Sequence, residues 1–97
     1  GDLRQRWTSD RLAERAGLSR SAFAERFTRA VGEPPMRYLA RLRLERAAER
    51  IANGSDPVAR IAYEVGYESE SAFTRAFTRA YGAAPTTWRR NVRQQDG

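Results

Sequence analysis

Ser21-Ala-Phe23-Ala-Glu-Arg-Phe27-Thr-Arg29-Ala-Val-Gly32-Glu-Pro-Pro35 returns fifty residues later as Ser71-Ala-Phe73-Thr-Arg-Ala-Phe77-Thr-Arg79-Ala-Tyr-Gly82-Ala-Ala-Pro85. Extended to Tyr38 and Trp88, the two copies are identical at nine of eighteen positions. A repeat of that length is one supersecondary unit used twice. Each copy follows a small residue and a glycine four positions apart, Ala13 with Gly17 and Ala62 with Gly66. Phe23 stands ten residues after Ala13, and Phe73 eleven after Ala62, so the second turn is one residue longer. The small residue lets two helices approach, the glycine makes the turn, and the phenylalanine fills the junction. Two copies at a fixed offset point to a pair of helix-turn-helix units. Such a chain is expected to read two stretches of one duplex.

The apolar periodicity is helical almost throughout, with no sustained strand-type alternation, and predicts an all-α fold. Thr8 is the expected N-cap of a first helix, with Asp10 near its positive end and Trp7 stapled onto Leu12. Leu12, Ala13 and Ala16 form its inner face, and Gly17 ends it. Ser19 caps a helix over about 20–31 that Gly32 closes. Pro34 and Pro35 start a long helix over 35–52, roughly 27 Å at 1.5 Å per residue, which ends at Asn53-Gly54. Asp56 is the expected cap of the next helix, with Pro57 at its first position and Gly66 at its end. Ser69 caps a helix over about 70–81 that Gly82 closes. Pro85 opens a short last helix to about Val92. Residues 1–6 read as a loose lead-in and 93–97 as a frayed tail. The expected organisation is a first lobe over 1–33, a linker helix over 34–54 and a second lobe over 55–97.

Composition narrows the function. Ninety-seven residues make one small domain or two very small lobes. The chain has no His and no Cys. That removes disulfides, thiolate chemistry, the commonest metal ligand and the commonest general base. No phosphate-cradling glycine loop and no compact carboxylate cluster is present, so the chain is expected not to be an enzyme, with no cofactor and no metal. No apolar run reaches membrane-spanning length, and no signal peptide is expected from the opening residues. The net charge is +6, a balance that suits nucleic acid. Every cation is Arg. A GC-rich genome would produce that bias, and so would a need for bidentate contacts to guanine and phosphate. Residues 35–52 carry five Arg against two Glu and residues 18–31 three against one, whereas residues 67–81 balance at two against two, so the first repeat reads as the more electropositive.

Placed on a wheel at 100° per residue, Phe23, Phe27 and Ala30 point inward, and Ser21, Glu25, Thr28 and Arg29 outward. In the second copy Phe73, Phe77 and Ala80 point inward, and Ser71, Arg75, Thr78 and Arg79 outward. Ala22, Ala24, Ala72 and Thr74 flank these faces. Small residues beside a few long polar arms are what a groove-entering helix needs. An ordinary solvated helix face would carry the same residue types.

These residues resemble a known family. The stretch from Gly66 through Phe73, Phe77, Gly82 and Pro85 to Trp88 and Arg89 is similar to the signature of AraC/XylS-type bacterial transcription regulators. Leu18 to Phe27, with Gly32 to Leu39, resembles the first half of the same C-terminal DNA-binding domain. The resemblance covers roughly residues 7–92. It implies two three-helix, homeodomain-like helix-turn-helix lobes joined by a rigid linker helix, with recognition helices at about 20–31 and 70–81. The resemblance implies that the family domain usually begins with one more helix, expected here to be missing or kept only as residues 1–6. Carried over by position, the family's base contacts fall on Ser21, Ala24 and Glu25, and on Glu70, Ser71, Thr74 and Arg75. The resemblance further implies double-stranded DNA as partner, RNA polymerase as a second candidate, and a place in the cytoplasm at the bacterial nucleoid. It also implies a sensing or dimerising domain elsewhere in the full-length regulator.

Individual roles follow from the chemistry. Arg75 is the best candidate for guanine readout through O6 and N7, with a phosphate contact as its alternative. Glu25 can accept from a cytosine amino group or pair with Arg29 four residues on. The first lobe is therefore expected to discriminate bases less than the second. Arg20, Arg29, Arg37 and Arg79 are expected on phosphates. Trp7, Tyr38, Leu39, Leu42, Leu44, Ile51, Ile61, Val65, Tyr81 and Trp88 read as packing. The linker helix is expected to set the reading heads about one duplex turn, roughly 34 Å, apart. The rival reading is a protein-interaction module that docks an acidic partner such as the transcription machinery.

Overall fold

The computed structural model describes residues 9–96, with side chains from 10 to 95. The expected cap Thr8, the staple Trp7 and the lead-in 1–6 lie outside the described residues. Six helices form among the described residues: α1 Ser9–Ala16, α2 Arg20–Val31, α3 Pro35–Asn53, α4 Val58–Glu64, α5 Glu70–Tyr81 and α6 Pro85–Asp96.

Local chemistry sets most of these boundaries. Ser19 Oγ accepts from the Ala22 N–H, and Ser69 Oγ from the Ala72 N–H, both at 3.1 Å. Each satisfies one of the unpaired donors at a helix start. Gly32 and Gly82 close α2 and α5, their N–H groups donating to Thr28 and Thr78 carbonyls at 2.8 Å. The helix stops before α2 and before α5 are also alike, although the second turn is one residue longer. Gly17 donates to Glu14 and Leu18 to Ala13; Gly66 donates to Tyr63 and Tyr67 to Ala62. This paired-bond ending needs a left-handed residue, and Gly17 and Gly66 supply it at φ +70° and +106°. The Ala–Gly spacing in the sequence therefore encodes a helix stop.

Two expected helix boundaries need correction. Pro57 is the cap of α4 rather than its first residue, with its carbonyl accepting from Arg60 and Ile61. The Asp56 carboxylate does not cap; it pairs with Arg50 at 3.0 Å. Secondly, α6 continues past Val92 to Asp96, because its arginines are tied to backbone carbonyls described below.

The helices group into two compact units, one ending at Leu42 and the other beginning at Arg43. Thus α3 gives residues 35–42 to one and 43–53 to the other. The unit from Arg43 has a closed core of Ala47, Ala48, Ile51, Val58, Ile61, Ala62, Val65, Phe73 and Phe77, with Leu44, Tyr67, Tyr81 and Trp88 packed on it. Phe73 and Phe77 are fully buried. Phe77 meets Tyr81 at 4.5 Å and Trp88 at 5.4 Å between ring centroids.

The unit ending at Leu42 repeats the aromatic contacts more sparsely. Phe23 meets Phe27 at 5.8 Å, and Phe27 meets Tyr38, the counterpart of Trp88, at 5.5 Å. Its phenylalanines are only half-buried, and α2 has no buried residue. Among its described residues, Ala13 and Pro35 are the buried positions. The wheel misplaced Ala30 and Ala80, which are both exposed. Each lies in the last turn of its helix, where a methyl group is too short to reach a neighbouring element.

Three arginines hold the segment between α3 and α4. Arg89 donates from Nε to the Ile51 carbonyl and from Nη2 to the Asp56 carbonyl, both at 2.9 Å. Arg93 Nη2 donates to the Gly54 carbonyl. Cations placed on the last carbonyls of a helix also oppose its dipole favourably. Arg50 bridges Asp56 at 3.0 Å and Glu64 at 2.6 Å. That hydrogen bond from Arg50 holds the Glu64 carboxyl below the usual range, against an opposing effect of burial, and Arg60 adds to it.

Candidate nucleic-acid interface

Helix α5 is fixed from behind and free in front. Phe73 and Phe77 seat it in the core, while Glu70, Ser71, Arg75, Thr78 and Arg79 are exposed and Thr74 is half-buried. Ser71 Oγ accepts from Arg75 Nη1 at 3.1 Å. The bond spans one helical turn and aims the guanidinium back along the face toward the helix start, while its remaining N–H groups stay available. Thr74 lies beside this pair, and its short side chain keeps that flank low. Arg79 is one turn on and has no ion pair among the described residues.

The face of α2 has the same layout with different chemistry. Ser21, Glu25, Thr28 and Arg29 are exposed, and Ala24 is half-buried. Glu25 Oε1 and Arg29 Nη2 lie 2.5 Å apart, so the carboxylate is engaged within its own helix. Both side chains are about 70% exposed (70% and 72%), which makes the pair worth only about 0.3–0.5 kcal/mol. Arg20 lies 3.5 Å from Asp10 of α1. That contact is equally exposed and leaves the guanidinium free to exchange partners. Arg37 is exposed near the start of α3.

Sequence reasoning found both faces but missed Arg89 and Arg93 as holders of the α3–α4 segment. Their partners lie 33 to 39 residues away in the chain, beyond any periodic signal. Among the described residues, no group of three or more acidic, His or Cys side chains could hold a metal ion. No described helix is long and apolar enough to cross a membrane.

The family model of a helix-turn-helix domain matches residues 12–91. The chain belongs to the AraC/XylS-type helix-turn-helix family. The family is one of DNA-binding transcription regulators and not of enzymes. A putative AraC-like transcription regulator from Streptomyces antibioticus is 44% identical over 88% of this chain and 28% of its own length. The RCS-specific transcriptional activator RclR of Escherichia coli is 43% identical over 91% of this chain and 31% of its own length. The chain thus spans about a third or less of these relatives. Among solved structures, the DNA-binding domain of the global transcriptional factor AdpA, in complex with a target DNA, superposes with a TM-score of 0.90 at 28% identity, covering 96% of this chain and 84% of its own. The C-terminal domain of the response regulator yesN from Fusobacterium nucleatum gives 0.86 at 26%, covering 92% and 86%.

Proposed function

We propose that this chain binds double-stranded DNA sequence-specifically and thereby regulates transcription, with α2 and α5 entering successive major grooves. The observation that carries this reading is the α5 face: an exposed Ser71–Arg75 pair on a helix whose opposite side is locked into a closed core. Base contacts are assigned to Ser21, Ala24 and Glu25 in α2, and to Glu70, Ser71, Thr74 and Arg75 in α5. Arg20, Arg29, Arg37 and Arg79 take phosphates. Because Ser21, Ala24 and Glu25 offer one acidic acceptor and no cationic fork, α2 positions more than it discriminates, and α5 supplies most of the base preference. The organisation into a first lobe, a linker α3 and a second lobe is part of the same proposal. So are an effector-sensing or dimerising domain elsewhere in the full-length protein, contact with RNA polymerase, and action at the cytoplasmic nucleoid.

The test is a titration with random duplex at several salt concentrations, followed by selection of sites from a random pool. Neutralising about five phosphates gives a slope of log affinity against log salt of about −4 to −5. An affinity that does not change with salt would refute duplex binding and favour a docking surface for an acidic protein. Insertion of about five base pairs, half a turn, between the halves of a selected site is expected to abolish joint protection. Equal protection in both constructs would contradict a fixed spacing by α3.

A further inference from the structure

Thr86, Arg89, Arg90, Arg93 and Gln94 line an open depression of about 370 Å³ on α6. Their spacing of three and four places them on one helix face. The lining holds three guanidinium groups and no carboxylate. Arg89 and Arg93 are partly committed, since each donates to carbonyls of residues 51–56. Those bonds fix both side chains beside the α3–α4 segment and leave other N–H groups unspent. Arg90 is exposed, with no hydrogen bond or ion pair among the described residues.

This face does not belong to the repeat. Fifty residues earlier the corresponding positions are Met36, Leu39, Ala40, Arg43 and Leu44. The second copy has therefore acquired a basic patch that the helix-turn-helix itself does not require. Its location also points to a ligand. In homeodomain-type docking, the loop between the first two helices contacts the DNA backbone. Here α3 and α4 are those helices of the second unit, and Arg89 and Arg93 reach the loop between them.

We propose that this face of α6 is a phosphodiester clamp that holds the DNA backbone beside the second unit. The guanidinium of Arg90 offers a planar pair of donors that matches two phosphate oxygens. The remaining donors of Arg93 and the Thr86 hydroxyl complete the cradle. The clamp carries no base information, so it adds affinity and register rather than specificity. It rests on the duplex-binding reading above.

The experiment compares the 97-residue chain with its Arg90→Ala and Arg90→Lys variants on random and selected duplexes. Removing one phosphate contact makes the salt slope shallower by about 0.9. Between about 50 and 200 mM salt, the affinity lost by Arg90→Ala is then about 3.5-fold smaller than that lost by the unsubstituted chain. Arg90→Lys recovers most of the slope, and the selected base preferences stay the same in both variants. A slope unchanged in Arg90→Ala, while the unsubstituted chain binds steeply, overturns the clamp and leaves duplex binding intact. A changed preference at one base pair also overturns it, by making Arg90 a base reader. Binding of inorganic phosphate at this face, seen by ³¹P NMR, without a slope change would overturn it in favour of a free-anion site. Absence of salt-dependent duplex binding in the unsubstituted chain overturns both proposals together.

Discussion

Replacing Arg89 by Ala removes two charge-assisted hydrogen bonds at once. One ends on the Ile51 carbonyl in the last turn of α3, the other on the Asp56 carbonyl just before α4. Both are 2.9 Å long and part-buried. A hydrogen bond from a charged donor contributes about 1.5–3 kcal/mol. The lower end applies here, because both bonds are only part-buried and the Asp56 carbonyl regains some water once the side chain is gone. For two bonds the expected loss is therefore about 3 kcal/mol. For a domain of this size that lowers Tm by about 10 °C or more. Arg89→Lys keeps the charge but can reach only one carbonyl well, so it loses about half as much. The assay is urea denaturation followed by Trp88 fluorescence in a Trp7→Phe background. Trp88 packs directly on Phe77 at 5.4 Å and so reports on this unit. Arg90→Ala is the control, an exposed neighbour on the same helix, expected within about 0.5 kcal/mol of the parent. If Arg89→Ala fell within that same margin, the view that Arg89 holds α3 and α4 together would be wrong.

Further outcomes follow from the same geometry. Phe77→Ala, at a fully buried site, is expected to cost its unit about 3–5 kcal/mol. Phe27→Ala, half-buried, should cost the other unit roughly half that; amide exchange resolved by unit checks the ranking, and equal losses would contradict it. Arg75→Ala is expected to weaken a selected site by about 1–3 kcal/mol and relax preference at one base pair, whereas Arg79→Ala weakens all sequences alike. Unaltered base preferences in Arg75→Ala would rule out that division. Glu64, held by Arg50 below its ordinary pKa, stabilises the fold fully above its unfolded pKa. That contribution is lost as pH falls through the lower folded value, because the unfolded chain takes up the proton first. Glu64→Gln should flatten the acid side of the stability profile, and an unchanged profile would exclude the Arg50–Glu64 pair as its source.

Much of the fold was legible because its signals are local. The bounds of α2 and α5 agree with the sequence expectation to the residue, since Ser19, Ser69, Gly32 and Gly82 act within four residues of themselves. The Glu25–Arg29 pair was legible for the same reason, being one helical turn long. The periodic phenylalanines gave the correct inward face in both copies. Ala30 and Ala80 failed because a wheel gives direction, not coverage, and an alanine at a helix end needs a neighbour that approaches closely.

The sequence by itself determined the all-helical class, the duplicated unit, the helix stops at Gly17 and Gly66, and the composition of the exposed faces of α2 and α5. These depend on backbone conformations and hydrogen bonds spanning a few residues. Tertiary structure alone decided that Phe73 and Phe77 are sealed while Phe23 and Phe27 remain half-open, although the motifs around them are nearly identical. It also decided that α6 runs to Asp96, and that Arg89 and Arg93 reach carbonyls 33 to 39 residues away. Burial and long-range hydrogen bonds depend on which surfaces meet once the helices pack, and no pattern within a single helix records its partner.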